Sequence, residues 1–426
     1  MDPVIVRGRG MIQYVAPMTA EPRIDPHSPP RRVALFVRSF SGGGGAESVM
    51  LKLAAGLRDL GVGVHLVMAR RKGHFLDRIP DGVELVDLRA PLAITGWSWL
   101  AMRSPAQAGR LLPALCSGDV PRVLGAIPPL VRYLDDRRPD AIISALNYTN
   151  ICSLIASELS RHQPTRVVTL HNNLSALLSP EGRRRNRLLG PLIRHYLPRA
   201  DHRVAVSRGV ADGARSLLGA SSIQTIHNPI VEPALARAAA EPPEHPWLRR
   251  KTTPVVLAIG KLKPQKDFPT LLRAFAALRR RREARLVILG EGPDRASLWS
   301  LAGELGIAGD LDLPGFIANP MALLSNADVF ALSSRYEGFG NVVAEALACG
   351  CPVVSTDCPW GPSEILENGR YGRLVPPEDP QALAEGLEAT LDESPDPAAL
   401  RDRAQAFSVA DAARSYLALL QGGHGD

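Results

Sequence analysis

Ser333-Ser-Arg-Tyr-Glu-Gly-Phe-Gly-Asn-Val-Val-Ala-Glu345 leaves an apolar run (328–333), turns on Gly338 and Gly340, and enters a helix-forming stretch from Asn341 to Ala348. Strand, glycine turn and helix in that order form the repeating unit of a parallel sheet covered by helices. The backbone N–H groups of Phe339, Gly340, Asn341 and Val342 then stand at a helix N-terminus, where an anion is favoured. Glu337 precedes the helix and Glu345 lies about one turn inside it. Two carboxylates beside an anion site make sense as acceptors for sugar hydroxyls. Taken alone, the segment also reads as an exposed helix that happens to carry two glutamates.

The same alternation extends in both directions. Downstream of residue 252, strands are expected at 255–260, 285–290, 328–333 and 352–356, and helices at 267–281, 293–306, 341–348 and 380–391. Upstream, strands are expected at 33–37, 64–69, 84–88, 140–144, 166–171 and 203–207, with helices at 46–60, 148–161, 181–197 and 207–218. Between the two series, residues 231–251 carry Pro233, Pro242, Pro243 and Pro246, which reads as a linker. The expectation is two doubly wound α/β domains, 31–230 and 252–408. A Pro-rich flexible leader, 1–30, precedes them, and a helix and tail, 409–426, are expected to pack back toward the first domain. A chain of 426 residues exceeds what one core usually supports, and ligands of such sheets sit at the carboxyl ends of the strands.

Composition narrows the class. With 45% hydrophobic and 22% charged residues the chain is of soluble globular type. The five cysteines are scattered and odd in number, which fits a reducing cytoplasm better than a disulfide framework, and Cys349 and Cys351 are too close together for a zinc knuckle. No apolar run approaches the roughly 18 residues of a membrane span. The net charge of +7 is uneven: residues 1–230 hold 30 Lys and Arg against 17 Asp and Glu, and residues 231–426 hold 20 against 26. The first half, at +13, suits an anionic surface, a diphosphate or nucleic acid, although solvated arginines alone would also produce it. No nucleic-acid recognition module accompanies it.

Three further motifs bear on chemistry. Ser41-Gly-Gly-Gly-Gly-Ala-Glu47 follows the first strand and opens a helix, as either a phosphate cradle or a tight turn. It matches neither the dinucleotide fingerprint nor a Walker loop. Gly260-Lys-Leu-Lys-Pro-Gln-Lys266 places lysines at a strand's carboxyl mouth. Asp310-Leu-Asp312 has metal-binding spacing but lies at the start of a strand, so no metal site is expected there.

In combination these pieces resemble the family-4 retaining glycosyltransferases of GT-B fold, in which two Rossmann-like domains face each other across a cleft. Glu337 and Glu345 form the family's E-x7-E element. Gly44-Gly-Ala-Glu47, the strand end at His171, Val206-Ser207, His227-Asn-Pro229, Gly260 to Lys266, Ala348 to Ser355 and Gly361-Pro-Ser-Glu-Ile-Leu366 follow in the family's order. The resemblance implies that Lys261 and Lys266 bind a donor diphosphate, with Gly44 and Gly45 approaching from the opposite domain. It implies Glu345 on ribose hydroxyls, Glu337 on the transferred sugar, and the Gly338 to Val342 backbone beside sugar and phosphates. His171 would touch the sugar from the first domain, and Phe316 and Ile317 would flank the base. Lys261 stands where the family usually has arginine, replacing a fork by a point cation.

The reaction implied is metal-independent transfer of a hexose or N-acetylhexosamine from a nucleoside-diphosphate sugar, a UDP-sugar favoured, with retention. The donor is a co-substrate and no cofactor is expected. For the acceptor, a lipid-linked glycan at the inner face of the cytoplasmic membrane is expected. The reasons are the basic first half, the helix with Arg183, Arg184, Arg185, Arg187 and Arg194, and Trp97 and Trp99 in an uncharged stretch. An epimerase or hydrolase of the same fold, or transfer to a soluble acceptor, remains the alternative.

Overall fold

A computed structural model gives the fold for residues 31–40, 44–73, 75–116, 121–172, 174, 178, 184–219, 222–393 and 395–422, with the side chains of 184–187 left aside. Two all-parallel sheets organise it. The first contains β1 (Arg32–Val37), β2 (Gly63–Met68), β3 (Glu84–Asp87), β4 (Ala141–Ala145), β5 (Thr165–Leu170), β6 (His202–Ala205) and β7 (Gln224–Thr225) in the order β3-β2-β1-β4-β5-β6-β7. The second contains β8 (Val255–Ile259), β9 (Arg285–Leu289), β10 (Leu311–Gly315), β11 (Val329–Leu332), β12 (Val353–Thr356) and β13 (Arg373–Val375) in the order β10-β9-β8-β11-β12-β13. In the first, Val33 pairs with both Val64 and Ala141. The central strands are buried along almost their whole length, as a sheet covered on both faces requires. The direction of winding reverses between β1 and β4 and between β8 and β11, so each sheet opens a crevice there at its carboxyl edge.

Two strands, β7 and β13, were not expected, and β10 was expected only as the strand that Asp310 to Asp312 begin; each of the three lies at an edge. They are short or broken in pattern: β7 has two residues, β13 three, and β10 contains the exposed Pro314, tolerated where one side of a strand is unpaired. Among the unforeseen helices are Ala93–Arg103, Pro105–Leu115 and Ile127–Arg137, all between β3 and β4, and Pro397–Gln405 before the last helix. In residues 231–251 the prolines do not keep the chain irregular. Pro233 and Pro246 open the short helices Pro233–Ala239 and Pro246–Arg249, where a fixed φ and a missing N–H do no harm.

The chain crosses between the sheets twice, and the crossings are tied together. Ile230 and Val231 donate their N–H groups to the carbonyl of Phe407 at 2.8 and 3.0 Å, and Val409 N–H returns to Val231 at 2.8 Å. The last helix, Val409–Gln421, lies on the first, Gly45–Asp59, so closely that a β-carbon on Gly56 would stand 2.8 Å from that of Ala413. Ala413, Tyr416 and Leu419 thereby join the core formed by Val33, Leu35 and Val37. Among the described residues, no helix is long and apolar enough to cross a membrane.

Candidate active site

The loop 333–340, between β11 and the helix Asn341–Ala348, is fixed from several sides. Ser333 Oγ donates to the carbonyl of Lys266 at 2.8 Å, Gln265 Nε2 to that of Tyr336 at 2.8 Å, and Thr356 Oγ1 to that of Ser334 at 2.7 Å. Gly340, at φ 92°, makes the left-handed turn that starts the helix. Glu337 is buried, and its Oε1 accepts from Lys266 Nζ at 2.6 Å and from Ser334 Oγ at 2.7 Å. Its Oε2 accepts no hydrogen bond from the described residues.

Lys266 reaches this position by lying over Gly260, where a β-carbon would meet its aliphatic carbons at 3.1 to 3.3 Å. An ammonium has three donors. One is held by Glu337, and the others are left for oxygens arriving at the mouth of β8. Lys261 is exposed on the same loop. The positive end of the Asn341–Ala348 helix lies beside them, so two lysines and a helix N-terminus meet at this edge with the Glu337 carboxylate.

The first sheet supplies the opposite wall. A β-carbon on Gly338 would stand 2.0 Å from the carbonyl oxygen of His171, and Ser207 Oγ donates to the Gly338 carbonyl at 2.7 Å. Asn341 Oδ1 accepts from Asn228 Nδ2 at 2.8 Å, while Asn341 Nδ2 would lie 2.9 Å from a β-carbon on Gly45. Gly44 caps the helix Gly45–Asp59, so two helix N-termini meet at the cleft. Glu364 closes one side, accepting from Arg208 N–H at 2.8 Å and pairing with His227 Nε2 at 2.5 Å.

The state of His171 follows from its neighbours. Thr169 Oγ1 spends its one proton on the Ser144 carbonyl at 2.8 Å, so it must accept from His171 Nε2 at 2.9 Å. The ring therefore carries its proton on Nε2 and presents Nδ1 as an acceptor. Burial pushes its pKa down from 6.5 to about 4, which keeps it neutral near pH 7. Glu345 is half-buried, and its carboxylate makes no hydrogen bond or ion pair among the described residues. Burial raises its pKa, and the charge of Lys52, on the first sheet's helix Gly45–Asp59, works against that rise.

Other expected site residues fall into place unevenly. Phe316 is 70% exposed just past β10, while Ile317 is half-buried against the core. The ring of Phe339 points inward and stacks on His227 at 5.4 Å, so this residue offers the site its backbone alone. Gly338, Gly340, Asn341 and Val342 lie at the loop–helix junction. Asp310 is paired with Arg279 and Asp312 with His245. Sequence reading assigned no role to Ser334, Asn228, Glu364 or Lys52. Asn228 and Glu364 lie inside motifs it quoted, but their partners across the cleft follow from tertiary structure.

Of the residues expected at a membrane face, the two tryptophans are partly covered. Trp97 and Trp99 are half-buried and packed on the core, and Trp97 Nε1 donates to the Ala108 carbonyl at 2.9 Å, tying two helices together. The Trp97 indole thus has both apolar packing and an acceptor inside the fold. Arg194 is exposed; Arg183 lies outside the described residues, and the side chains of Arg184, Arg185 and Arg187 are likewise not described.

Two parallel α/β sheets meeting at their carboxyl edges, with a glycine-turned loop and carboxylates between them, form the two-domain GT-B fold. Residues 43–232 match the family described as Glycosyltransferase Family 4, and residues 244–407 match Glycosyl transferases group 1. The chain belongs to the family-4 glycosyltransferases of GT-B fold. A *Campylobacter jejuni* relative, N-acetylgalactosamine-N,N'-diacetylbacillosaminyl-diphospho-undecaprenol 4-alpha-N-acetylgalactosaminyltransferase, is 35% identical over 39% of this chain and 46% of its own length. The lipopolysaccharide core biosynthesis glycosyltransferase LpsE of *Rhizobium meliloti* is 36% identical over 32% of this chain and 38% of its own. The chain thus matches less than half the length of these curated relatives. The structure of *Anabaena* HepE in complex with UDP and glucose shares the fold at TM-score 0.69 and 21% identity, over 92% of this chain and all of that one.

Proposed function

We propose that this protein transfers a hexose or N-acetylhexosamine, with retention of anomeric configuration, from a nucleoside-diphosphate sugar to a lipid-linked glycan in cell-surface polysaccharide synthesis. The observation that carries the reading is the largely buried Lys266–Glu337 pair, set 71 residues apart in sequence, with the adjacent Gly338 lying against the His171 carbonyl of the first sheet. In such a transfer negative charge collects on the leaving diphosphate, and stabilising it is the largest task. Lys266, Lys261 and the N-terminus of the Asn341–Ala348 helix supply positive charge there without a metal. Glu337 Oε2 and His171 Nδ1 accept from sugar hydroxyls, and Glu345 accepts from the ribose. The acceptor attacks on the face the diphosphate leaves, and a phosphate oxygen helps to take its proton, so no protein nucleophile is assigned.

A UDP-sugar is favoured, in keeping with the UDP in the HepE complex. The lipid-linked acceptor is in keeping with the diphospho-undecaprenol in the *Campylobacter* relative's name. The protein then works on the cytoplasmic face of the membrane as a peripheral enzyme, its basic first half toward anionic lipid. Incubation with a panel of UDP-sugars and a bacterial lipid extract tests the reading: a labelled sugar should appear on lipid, with donor turnover slow in its absence. Donor turnover equally rapid without lipid would instead mark a hydrolase or epimerase.

A further inference from the structure

At the carboxyl edge of the first sheet the ends of β1, β2 and β3 run on side by side. Arg70 N–H donates to the Arg38 carbonyl at 3.2 Å, Phe40 N–H to that of Lys72 at 2.8 Å, and Ala90 N–H to that of Ala69 at 2.8 Å. Asp87 Oδ1 receives the N–H groups of Arg71 at 3.1 Å and Arg89 at 3.0 Å, its carboxylate fixing the backbone. Arg38, Arg71, Lys72 and Arg89 are therefore gathered on one short rim and all are exposed. None has a side-chain hydrogen bond or ion pair among the described residues. Strand spacing makes the rim about 10 Å long from β1 to β3.

Each end of the rim meets something different. At β1, Arg38 lines the crevice where the winding of the sheet reverses, together with Ser39, Ala46, Glu47 and Leu146, next to Gly45 and Asn341. At β3, Arg89 leads into the helices Ala93–Arg103 and Pro105–Leu115. From Ala90 to Cys116 the sequence contains Arg103 and Arg110 and no acidic residue. Leu92, Ile94, Met102 and Leu112 are 68, 51, 81 and 43% exposed on these two helices and their lead-in. The apolar surface is rigidly mounted: a β-carbon on Gly96 would stand 2.3 Å from the Leu124 carbonyl oxygen, and one on Gly125 2.0 Å from that of Pro91.

We infer that this edge is the binding track for the acceptor's lipid-phosphate portion. The cations Arg38, Arg71, Lys72 and Arg89 hold a phosphate or diphosphate, and Leu92, Ile94, Met102 and Leu112 receive the hydrocarbon chain attached to it. The cations run from the crevice at β1 to Arg89, and from Arg89 the chain continues directly through the exposed Leu92 into the helix that carries Ile94 and Met102. A solvated basic patch explains the arginines but not four large apolar side chains held outward beside them. The inference rests on the proposed lipid-linked acceptor and assigns its phosphate and chain to named residues.

Flotation of the full chain with phosphatidylcholine vesicles tests it, with and without undecaprenyl diphosphate in the bilayer. Arg71→Gln/Lys72→Gln/Arg89→Asn removes three cations, asparagine being chosen because Arg89 has φ 47°. Leu92→Ser/Ile94→Ser/Met102→Ser/Leu112→Ser removes the apolar contacts. The wild type should favour diphosphate-bearing vesicles by at least about tenfold. The cation variant should lose that preference, the apolar variant should bind neither vesicle, and inorganic diphosphate should compete only at large excess. Equal binding of both vesicles, a preference that survives in the cation variant, or competition by equimolar inorganic diphosphate would overturn the inference. UDP titration separates the failures: if UDP binds and the vesicle preference is absent, this inference alone falls, whereas failure of UDP and all UDP-sugars to bind overturns the donor reading.

Discussion

Lys266 Nζ lies 2.6 Å from Glu337 Oε1, and the two side chains are 14 and 11% exposed. A buried ion pair is seldom a net source of stability, but removing one member strands the other. Here the pair joins the mouth of β8 to the loop after β11, the two strands flanking the second sheet's crevice. In the proposed reaction it holds a cation where a leaving diphosphate needs one, with its geometry set before the donor arrives.

Lys266→Met should lower stability by about 3 kcal/mol, because Glu337 is left with Ser334 as its remaining side-chain donor. It should also lower kcat by about 100-fold or more. Adding Glu337→Gln should restore much of the stability and none of the rate. Denaturant melts and steady-state kinetics on both variants separate the two effects.

Burial raises the pKa of Glu345, so the folded protein keeps its proton to higher pH than the unfolded chain does. The apo protein should therefore lose stability as pH rises from the ordinary carboxylate range through the raised value. Ribose hydroxyls favour the ionised form, so UDP affinity should rise with pH across the same window, then level off, with proton release on binding. Glu345→Gln should flatten this profile and weaken UDP by about tenfold or more. Calorimetry in buffers of different ionisation enthalpy reads both.

His171 should remain neutral down to about pH 4. Its pKa is below the ordinary 6.5, so stability is full above that range and is lost as pH falls toward 4. A ring-proton NMR titration of His171 should show no midpoint near 6.5. His171→Ala should reduce kcat by about tenfold to 100-fold through the lost hydroxyl contact while leaving UDP affinity nearly unchanged.

Gly338→Ala should damage the enzyme more than Gly45→Ala. The first places a methyl 2.0 Å from a backbone oxygen of His171, which yields only if the cleft opens, whereas the second meets the end of the Asn341 side chain at 2.9 Å. Gly338→Ala should lower kcat strongly and enlarge the radius of gyration, with a stability loss of about 1–3 kcal/mol. Solution scattering with kinetics checks it.

The two sheets were legible in sequence because strands buried on both faces read as unbroken Val/Ile/Leu runs, as in β1 and β8. The edge strands were not, since Gln224–Thr225 and Arg373–Val375 are too short to show a period. Lys266 and Glu337 could be named from motif order, but their contact could not. The partial burial of Trp97 and Trp99 was not legible for a definite reason: an almost uncharged helix gives no polar face from which to read its orientation. Asn228 and Glu364 act across the cleft, on partners 113 and 137 residues away, and sequence spacing carries no trace of that.

The most direct test of the donor site is calorimetric titration of UDP and a panel of UDP-sugars into the wild type, Lys266→Met/Glu337→Gln and Glu345→Gln. The cleft described here predicts that the wild type binds UDP and one or more UDP-sugars, that the double variant loses about 1.5–3 kcal/mol of diphosphate affinity, and that Glu345→Gln loses a similar amount. Folded wild-type protein that binds none of them, or variants that bind them as tightly as the wild type, would contradict it.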